Sequence, residues 1–578
     1  MQVLLCAINA KYIHSNLAIL YLHQIGRSAG FDTEICEFSI NEPIGYILSE
    51  LLQHRPDVVA FSCYIWNIEM VLKLCADIKK INPRCPLVLG GPEVSFCAAQ
   101  ILSDNPGIDY VVCGEGEAVW PGLLTAIEEG RSNPNLPGVA FRSGQVVAQN
   151  SLAPTLAMDE LPYPYEGISQ RPGQILYYES SRGCPFNCSY CVSSLQSGVR
   201  FMSLERVKAD LQRLNALKPL EIKFVDRSFN CDQKRAREIM EFLAGLPGQT
   251  RFHMEIEPQL LNPAFLDFLE RLPQNRFAFE IGVQSTHDKT LKAINRKGDW
   301  EKISANIRRL RQAANIHLHL DLIAGLPEED YSTFKNSFNQ VYATKPHHLQ
   351  LGFLKLLPGT RIRLEAESGQ YQFQSHPPYE VLSNRWISYE ELVRLHHIED
   401  VVEKYYNAGL AEATLEEIIT CHYNGDAFSF WERLGEYWYE EGYYGIGTAV
   451  FDRYSILKRF LERQHPQAKQ KYHDLLKYDL LKGRLTFALP EGFNSDPECS
   501  EILHMMLKQN GFIDQYLPEL KGQSAREIKK RVIMERFTHL PQSHGAFPHP
   551  RLLLFVYSDK NRPASRVTEI DPGNLSRH

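Results

Sequence analysis

The run Ser181-Arg182-Gly183-Cys184-Pro185-Phe186-Asn187-Cys188-Ser189-Tyr190-Cys191 places three cysteines within eight residues, spaced C-x3-C-x2-C. Three thiolates on one short loop can hold three irons of a four-iron cluster. No fourth cysteine stands nearby, so the fourth iron keeps an open position for a small-molecule ligand, as a catalytic metal does. A zinc site would show paired C-x2-C knuckles or histidines, and this loop has neither. Just upstream, Ile175 to Tyr178 reads as an apolar strand, so the loop stands at a strand's carboxyl end. Downstream, Ile222 to Val225, Phe252 to Ile256, Phe277 to Val283, His317 to Ile323 and Leu349 to Leu356 read as further strands. They lie about 25 to 47 residues apart, enough for one crossover helix each. Six such units predict a closed or partly closed α/β barrel with active residues on the loops after its strands.

Before this segment, residues 1 to about 140 alternate strand and helix. Val3 to Asn9 is an apolar run ending in a polar loop, Ala10 to Asn16, and an amphipathic helix follows with Leu17, Leu20, Tyr21 and Ile25 on one side. Thr33 to Phe38 is a second strand. Val58 to Ser62 is almost wholly apolar, which suits a parallel strand covered on both faces. Pro86 to Leu89 runs into Gly90-Gly91-Pro92, and Tyr110 to Cys113 into Gly114-Glu115-Gly116-Glu117. Short apolar strands that each end in a polar or glycine-rich loop predict an open doubly wound sheet, which binds ligands at its carboxyl edge. Residues 141–175, with three prolines between Leu152 and Tyr165, predict an extended connector. Residues 366–578 are dense in aromatic and acidic residues. Helices are expected over Tyr389 to Asn407, Thr448 to Gln464 and Ser495 to Gln509, with one late strand, Leu552 to Tyr557.

The chain has 578 residues, 44% hydrophobic and 23% charged. That excludes a disordered or collagen-like chain. Its longest apolar runs fall far short of the ~20 residues of a membrane-spanning helix, and MQVLLCAINAKYIHSN has no basic leader region. A cytoplasmic protein is expected. With 62 Lys and Arg against 69 Asp and Glu, the net charge is −7, and no basic footprint for nucleic acid exists. Thirteen cysteines, an odd number without an export signal, argue against a disulfide scaffold. The ten scattered ones are expected to be buried as small hydrophobes.

The cysteine loop after the first barrel strand resembles that of the radical S-adenosylmethionine enzymes. The resemblance implies that Cys184, Cys188 and Cys191 bind a four-iron–four-sulfur (4Fe-4S) cluster, that S-adenosylmethionine chelates the open iron, and that Tyr190 lies against adenine. Phe224 to Phe229 resembles the end of the second barrel strand, so Asp226 accepts from the methionine amino group or else serves as a helix cap or strand-end salt bridge. Glu280 to Ser285 looks like the fourth strand, which brings Glu280 and Ser285 to the ribose and carboxylate. Arg296 either forks onto that carboxylate or makes a surface ion pair. Leu322 to Pro327 resembles the fifth strand, where Gly325 permits close backbone approach to adenine. Leu356 to Thr360 resembles the sixth strand's end. The likeness spans about residues 170 to 365 of this sequence.

The features before the cysteines are similar to those of cobalamin-binding domains, which precede the radical core in one branch of the superfamily. Here the contacts fall on Asn9 to Asn16, Ser62, Gly90 and Gly91, and the Gly114 to Glu117 loop also resembles that branch. The D-x-H-x2-G loop, whose histidine ligates cobalt, is missing. His14 occupies the right loop without its context, so a loop histidine is the expectation. A Rossmann-like domain without cofactor is the alternative. The implied organisation is a doubly wound cobalamin-binding domain over 1–140, a connector over 141–175, a partial (β/α)6 barrel over 176–365, and a mainly helical C-terminal extension over 366–578. The implied activity is reductive cleavage of S-adenosylmethionine to a 5′-deoxyadenosyl radical, fed by a flavodoxin or ferredoxin. Methyl transfer from cobalamin to an unactivated carbon of a small-molecule or peptide substrate follows. Radical rearrangement or cyclisation without methylation, transfer-RNA methylthiolation and a non-enzymatic iron–sulfur sensor are the alternatives.

Overall fold

The computed structural model describes residues 1–570 apart from 132, 145, 169–173, 196, 197, 510, 544, 560 and 561. The chain divides into two compact units. One comprises Met1–His347 with Leu351–Leu392, the other His348–Gln350 with the chain from Val393.

Seven strands form the first sheet: β1 (Gln2–Asn9), β2 (Asp32–Ser39), β3 (Val58–Ser62), β4 (Leu87–Gly90), β5 (Tyr110–Val112), β6 (Val139–Ser143) and β7 (Val146–Gln149). Their order is β2-β1-β3-β4-β5-β6-β7. The first five pair in parallel and the last two antiparallel. The apolar runs are explained by burial on both sides. Leu4, Cys6 and Ile8 enter one hydrophobic core while Val3, Leu5 and Ala7 enter another. Strand order reverses between β1 and β3, which opens a crevice at their carboxyl ends. β6 and β7 lie largely in the range read as connector. They extend the sheet as an antiparallel hairpin on the free edge of β5, so the extended stretch starts only after Gln149. Residues 169–173 of the connector lie outside the described residues.

β8 (Leu176–Tyr178) opens the second sheet. β9 (Ser181–Cys184) leaves it and pairs antiparallel with β10 (Gly198–Phe201), so the cysteine loop joins the arms of a hairpin. β11 (Glu221–Phe224), β12 (Arg251–Glu255), β13 (Phe277–Gln284), β14 (Ile316–Ala324) and β15 (His348–Phe353) complete a six-stranded sheet ordered β15-β14-β13-β12-β11-β8. The strands at its two ends, β8 and β15, are not neighbours, so the barrel is partial. A short hairpin, β16 (Gln372–Phe373) and β17 (Val381–Ser383), follows.

The unit from Val393 is mostly helical, with helices over Glu412–Tyr423, Ala427–Glu440, Val450–Gln464, Lys469–Gly483 and Pro497–Met506. The helix Ala427–Glu440 accounts for the aromatic density, since Phe428, Phe430, Trp431 and Trp438 are buried. Three strands form its sheet where one was expected: β18 (Val532–Phe537), β19 (Arg551–Tyr557) and β20 (Ala564–Ile570). Glu535 interrupts the apolar pattern of β18, yet it is buried and bonded to Lys477 Nζ at 2.6 Å. β20 is polar along most of its length. Cys6, Cys63, Cys75, Cys85, Cys113 and Cys499 are buried thiols, whereas Cys421 is exposed.

Candidate functional site

The carboxyl ends of β1, β3, β4 and β5 present four loops, each held by its own polar residues. Asn16 caps the helix Leu17–Ser28 through Ile19 N, while its Nδ2 donates to Ser62 Oγ at 2.8 Å. Asn67 is buried. Its Nδ2 donates to Ile8 O and Ser62 O, and its Oδ1 accepts from Tyr64 N. Gly91 takes φ +114°, and a Cβ there would lie 2.5 Å from Cys63 O. Only glycine fits that turn without strain. Gly90 is freer, because its nearest neighbour in the Cβ direction is Val112 at 3.8 Å.

The same loops reach the barrel. Ile175 N donates to Ile13 O at 2.8 Å, Ser15 Oγ to Ile175 O at 3.2 Å, and His14 Nδ1 lies 2.7 Å from Tyr177 Oη. Burial lowers the His14 pKa, and Lys11 and Lys223 add to this. The strongest tie is ionic. Arg182 Nη1 bonds Glu115 at 2.8 Å, its Nη2 bonds Glu117 and Glu179 at 2.8 Å, and its Nε bonds Glu179 at 2.9 Å. Arg200, opposite Arg182 on the hairpin ladder, also bonds Glu115. The Gly114 to Glu117 loop thus grips the hairpin that carries the cysteines. The sequence placed Glu115 in this loop but gave no partner for it, and Arg200 was missed, because the short strand β10 was not recognised.

Between these loops and the hairpin lies a cavity of about 710 Å³. Asn9, Ser62, Gly91 and Glu115 line one side, with Arg182, Gly183 and Arg227 on the other. Tyr64 and Trp66 stack at 4.5 Å on its wall. A concave, largely apolar space of this size with a few polar groups is the usual form of a ligand or cofactor site. Aromatic walls, a backbone bared by glycines and a polar rim fit a large flat cofactor such as cobalamin.

The cysteine loop is pinned from outside: Ser189 N donates to Ile294 O, and Ile362 N to Ser189 O, both at 3.0 Å. Cys184 Sγ lies 3.9 Å from Ser228 Oγ, and Cys188, buried, has Arg296 Nη1 at 3.9 Å. Burial pushes both thiols up, opposed at Cys188 by the Arg296 charge. Among the described residues no three His, Cys, Asp or Glu side chains gather as a single metal ion requires. Three thiols on one short loop are the donor type that holds an iron–sulfur cluster. Ser189 Oγ and Gln284 Oε1 are buried there without hydrogen-bond partners, which also fits a group not drawn from the chain. Tyr190 is half-buried on the loop, and burial raises its hydroxyl.

The remaining candidates are engaged with the protein itself. Asp226 accepts from Ser180 N at 2.9 Å and from Ser180 Oγ and Ser181 Oγ at 2.6 Å, so it anchors the start of β9. Burial pushes it up to about 6. Glu280 Oε2 accepts from Lys223 Nζ and His253 Nε2, both at 2.9 Å. Burial alone would raise Glu280, but these two cations hold it below the usual carboxylate range. Ser285 is buried and donates to Glu329. At Gly325, φ +85°, a Cβ would meet Val381 Cγ1 at 2.6 Å, so the close approach this glycine permits is taken by β17.

Three family models match the chain: a B12 binding domain over residues 3–124, the radical SAM superfamily over 178–341, and a protein of unknown function (DUF4080) over 368–554. The cobalamin-dependent radical SAM methyltransferase TokK of Streptomyces tokunonensis is 27% identical over 349 residues, 56% of this chain and 50% of that protein. An uncharacterised methyltransferase of Pyrococcus horikoshii, PH0819, is 32% identical over 197 residues, 32% of this chain and 42% of that protein. The chain spans about half the length of the curated relatives it matches. Among solved structures, the cobalamin-dependent S-adenosylmethionine radical enzyme OxsB, with aqua-cobalamin and S-adenosylmethionine bound, matches 82% of this chain and 78% of its own at 15% identity and TM-score 0.56. TsrM from Kitasatospora setae, with cobalamin and a 4Fe-4S cluster bound, matches 65% and 78% at 18% identity and TM-score 0.55. Both share its fold. In chain order, then, the protein carries a B12-binding domain, a radical SAM domain and a DUF4080 region, and it is similar to enzymes that combine the first two.

Proposed function

We propose that the protein is a cobalamin-dependent radical SAM methyltransferase acting on an unactivated carbon. The observation that carries this reading is the shared cavity, which joins the carboxyl edge of the N-terminal sheet to the base of the cysteine hairpin. A methyl carrier and a radical source must reach one substrate carbon, and this arrangement lets both open onto a single space.

Cys184, Cys188 and Cys191 are the residues that would hold the 4Fe-4S cluster. Ser62, Gly90 and Gly91 would flank cobalamin, and Tyr190 is the aromatic of the cysteine loop placed to lie against adenine. Bound there, the cluster with S-adenosylmethionine supplies radical chemistry, and cobalamin supplies a methyl carrier. The chain's own part is to position and enclose. Glu115, Arg182 and Arg200 fix the hairpin against the sheet edge, and Tyr64 and Trp66 wall the cavity from water. His14 stands in its loop without the D-x-H-x2-G context, so we take cobalamin to bind without a histidine from the protein at cobalt. Radical SAM enzymes need a reductant, and among the described residues no helix is long and apolar enough to cross a membrane. We take the donor to be a flavodoxin or ferredoxin and the compartment to be the cytoplasm.

Anaerobic incubation with S-adenosylmethionine labelled on its methyl group, hydroxocobalamin and an extract from cells lacking the gene tests the reaction. A small molecule or peptide that gains one labelled methyl supports transfer. Release of 5′-deoxyadenosine with an altered but unlabelled product would favour rearrangement or cyclisation. No cleavage of S-adenosylmethionine at all would leave a sensor.

A further inference from the structure

The DUF4080 match begins at residue 368, yet the chain stays in the unit of the N-terminal sheet and the barrel as far as Leu392. The start of that region, with the β16–β17 hairpin, thus belongs to the unit that holds the cavity. On the loop of this hairpin Tyr379 takes φ +57°. Its carbonyl accepts from Leu356 N at 2.9 Å, and the Arg363 guanidinium lies 4.7 Å from its ring centre. Held this way, its hydroxyl donates to Glu93 Oε1 at 2.6 Å, 286 positions away. Glu93 is 5% exposed, and burial raises its carboxyl while the Tyr379 hydroxyl opposes that rise.

Glu93 stands in the helix Pro92–Ser95, directly after Gly91. One turn is too short to hold a helix by itself, so its neighbours must fix it. Ser95 Oγ donates to Gly91 O at 2.8 Å and accepts from Gly114 N at 3.2 Å, which ties together two glycine loops that line the cavity. Phe96 follows and also lines the cavity, and a Cβ at Gly359 would meet its ring at 2.9 Å. The chain beyond the barrel therefore touches this loop twice, at Gly359 and at Tyr379. Without the Tyr379 hydroxyl a buried carboxylate oxygen loses its donor, and its ready relief is to turn toward water and take the loop with it.

We propose that Tyr379 is a positioning residue for the cobalamin site. Through Glu93 it holds the Gly91 to Phe96 loop in the shape that receives the cofactor, which gives the start of the DUF4080 region a place in that site. The inference rests on the reading of the shared cavity as a cobalamin site. The test is an anaerobic absorbance titration of the reconstituted full-length protein with hydroxocobalamin, well below the melting temperature, with iron counted beside it. Tyr379→Phe should weaken binding about tenfold at unchanged iron content. Glu93→Gln should weaken it less, because its amide oxygen still accepts from Tyr379. The double variant should bind better than Tyr379→Phe alone, because a neutral amide tolerates a missing donor better than a carboxylate does. Gln372→Ala, at an exposed position of the same hairpin, should bind as wild type does. Loss of packing at Tyr379 would not be relieved by the second substitution. Unchanged binding in Tyr379→Phe, a double variant that binds no better, or equal weakening in Gln372→Ala overturns the inference. If Tyr379→Phe does not fold, Glu93→Gln decides, and unchanged binding there counts against the inference. A wild-type protein that takes up no hydroxocobalamin would overturn the cofactor reading itself, and it shows as cobalamin missing from wild type, not as equal affinities.

Discussion

Two enclosed arginines flank the cysteine loop, and their surroundings are opposite in kind. Arg182, on the side of the N-terminal sheet, meets Glu115, Glu117 and Glu179, and all four side chains are at most 17% exposed. Its N–H groups are spent on carboxylates, and Arg200 adds a second cation. Arg296, on the barrel side, has Glu257, a backbone carbonyl and a thiol. The first ties the N-terminal sheet to the hairpin, and the second has one carboxylate and one terminal nitrogen 3.9 Å from the Cys188 sulfur. The two arginines thus differ in how far their N–H groups are spent on carboxylates, three at Arg182 and one at Arg296.

The largest expected effect is on the clamp. Arg182→Ala would leave three enclosed carboxylates without their main cation, a defect of about 3–5 kcal/mol. Denaturant unfolding should show that loss, and a change below about 1 kcal/mol, the range of an exposed pair, would make the network a surface feature. Next comes Asp226, which holds the start of the same hairpin. Its pKa in the folded chain, about 6, lies above its unfolded value. Its contribution to stability is therefore fully present below the unfolded pKa and is lost as pH rises through about 6. That swing is about 3 kcal/mol, and Asp226→Asn should remove it from the pH dependence of unfolding. A slope unchanged in the variant would place the titration elsewhere. Gly91→Ala should cost about 1–3 kcal/mol through its left-handed turn, and should weaken hydroxocobalamin binding measured by absorbance. Gly90→Ala, with its nearest neighbour at 3.8 Å, should leave stability near wild type, and equal losses in the two would refute the close approach to Cys63. The smallest effect is at Tyr379, whose hydroxyl donates to Glu93 at 2.6 Å beside Gly91. Tyr379→Phe should cost about 1 kcal/mol, read as a small drop in melting temperature.

The clamp and the charged sulfur contact were not equally legible in the sequence. Strands buried on both faces announce themselves as apolar runs, so β1, β3 and β11 to β14 fall within a residue or two of expectation. The cysteines carry their own spacing. What escaped is what depends on partners far apart in sequence. Glu115 and Arg182 are 67 positions apart, and Arg200 reaches Glu115 only because β10 sets it opposite Arg182. β18 was hidden because its buried Glu535 reads as exposed until Lys477 is seen beside it. Nor did the sequence show that Val381 lies in the Cβ direction of Gly325.

The central claim is that the cysteine loop holds the cluster on which all the chemistry depends. The direct measurement is iron content and 5′-deoxyadenosine release, under strict anaerobiosis with reductant and S-adenosylmethionine, for wild type and Cys188→Ala. Wild type should hold about four irons per chain and release 5′-deoxyadenosine, and the variant should lose both. Release of 5′-deoxyadenosine that survives in Cys188→Ala would contradict the account.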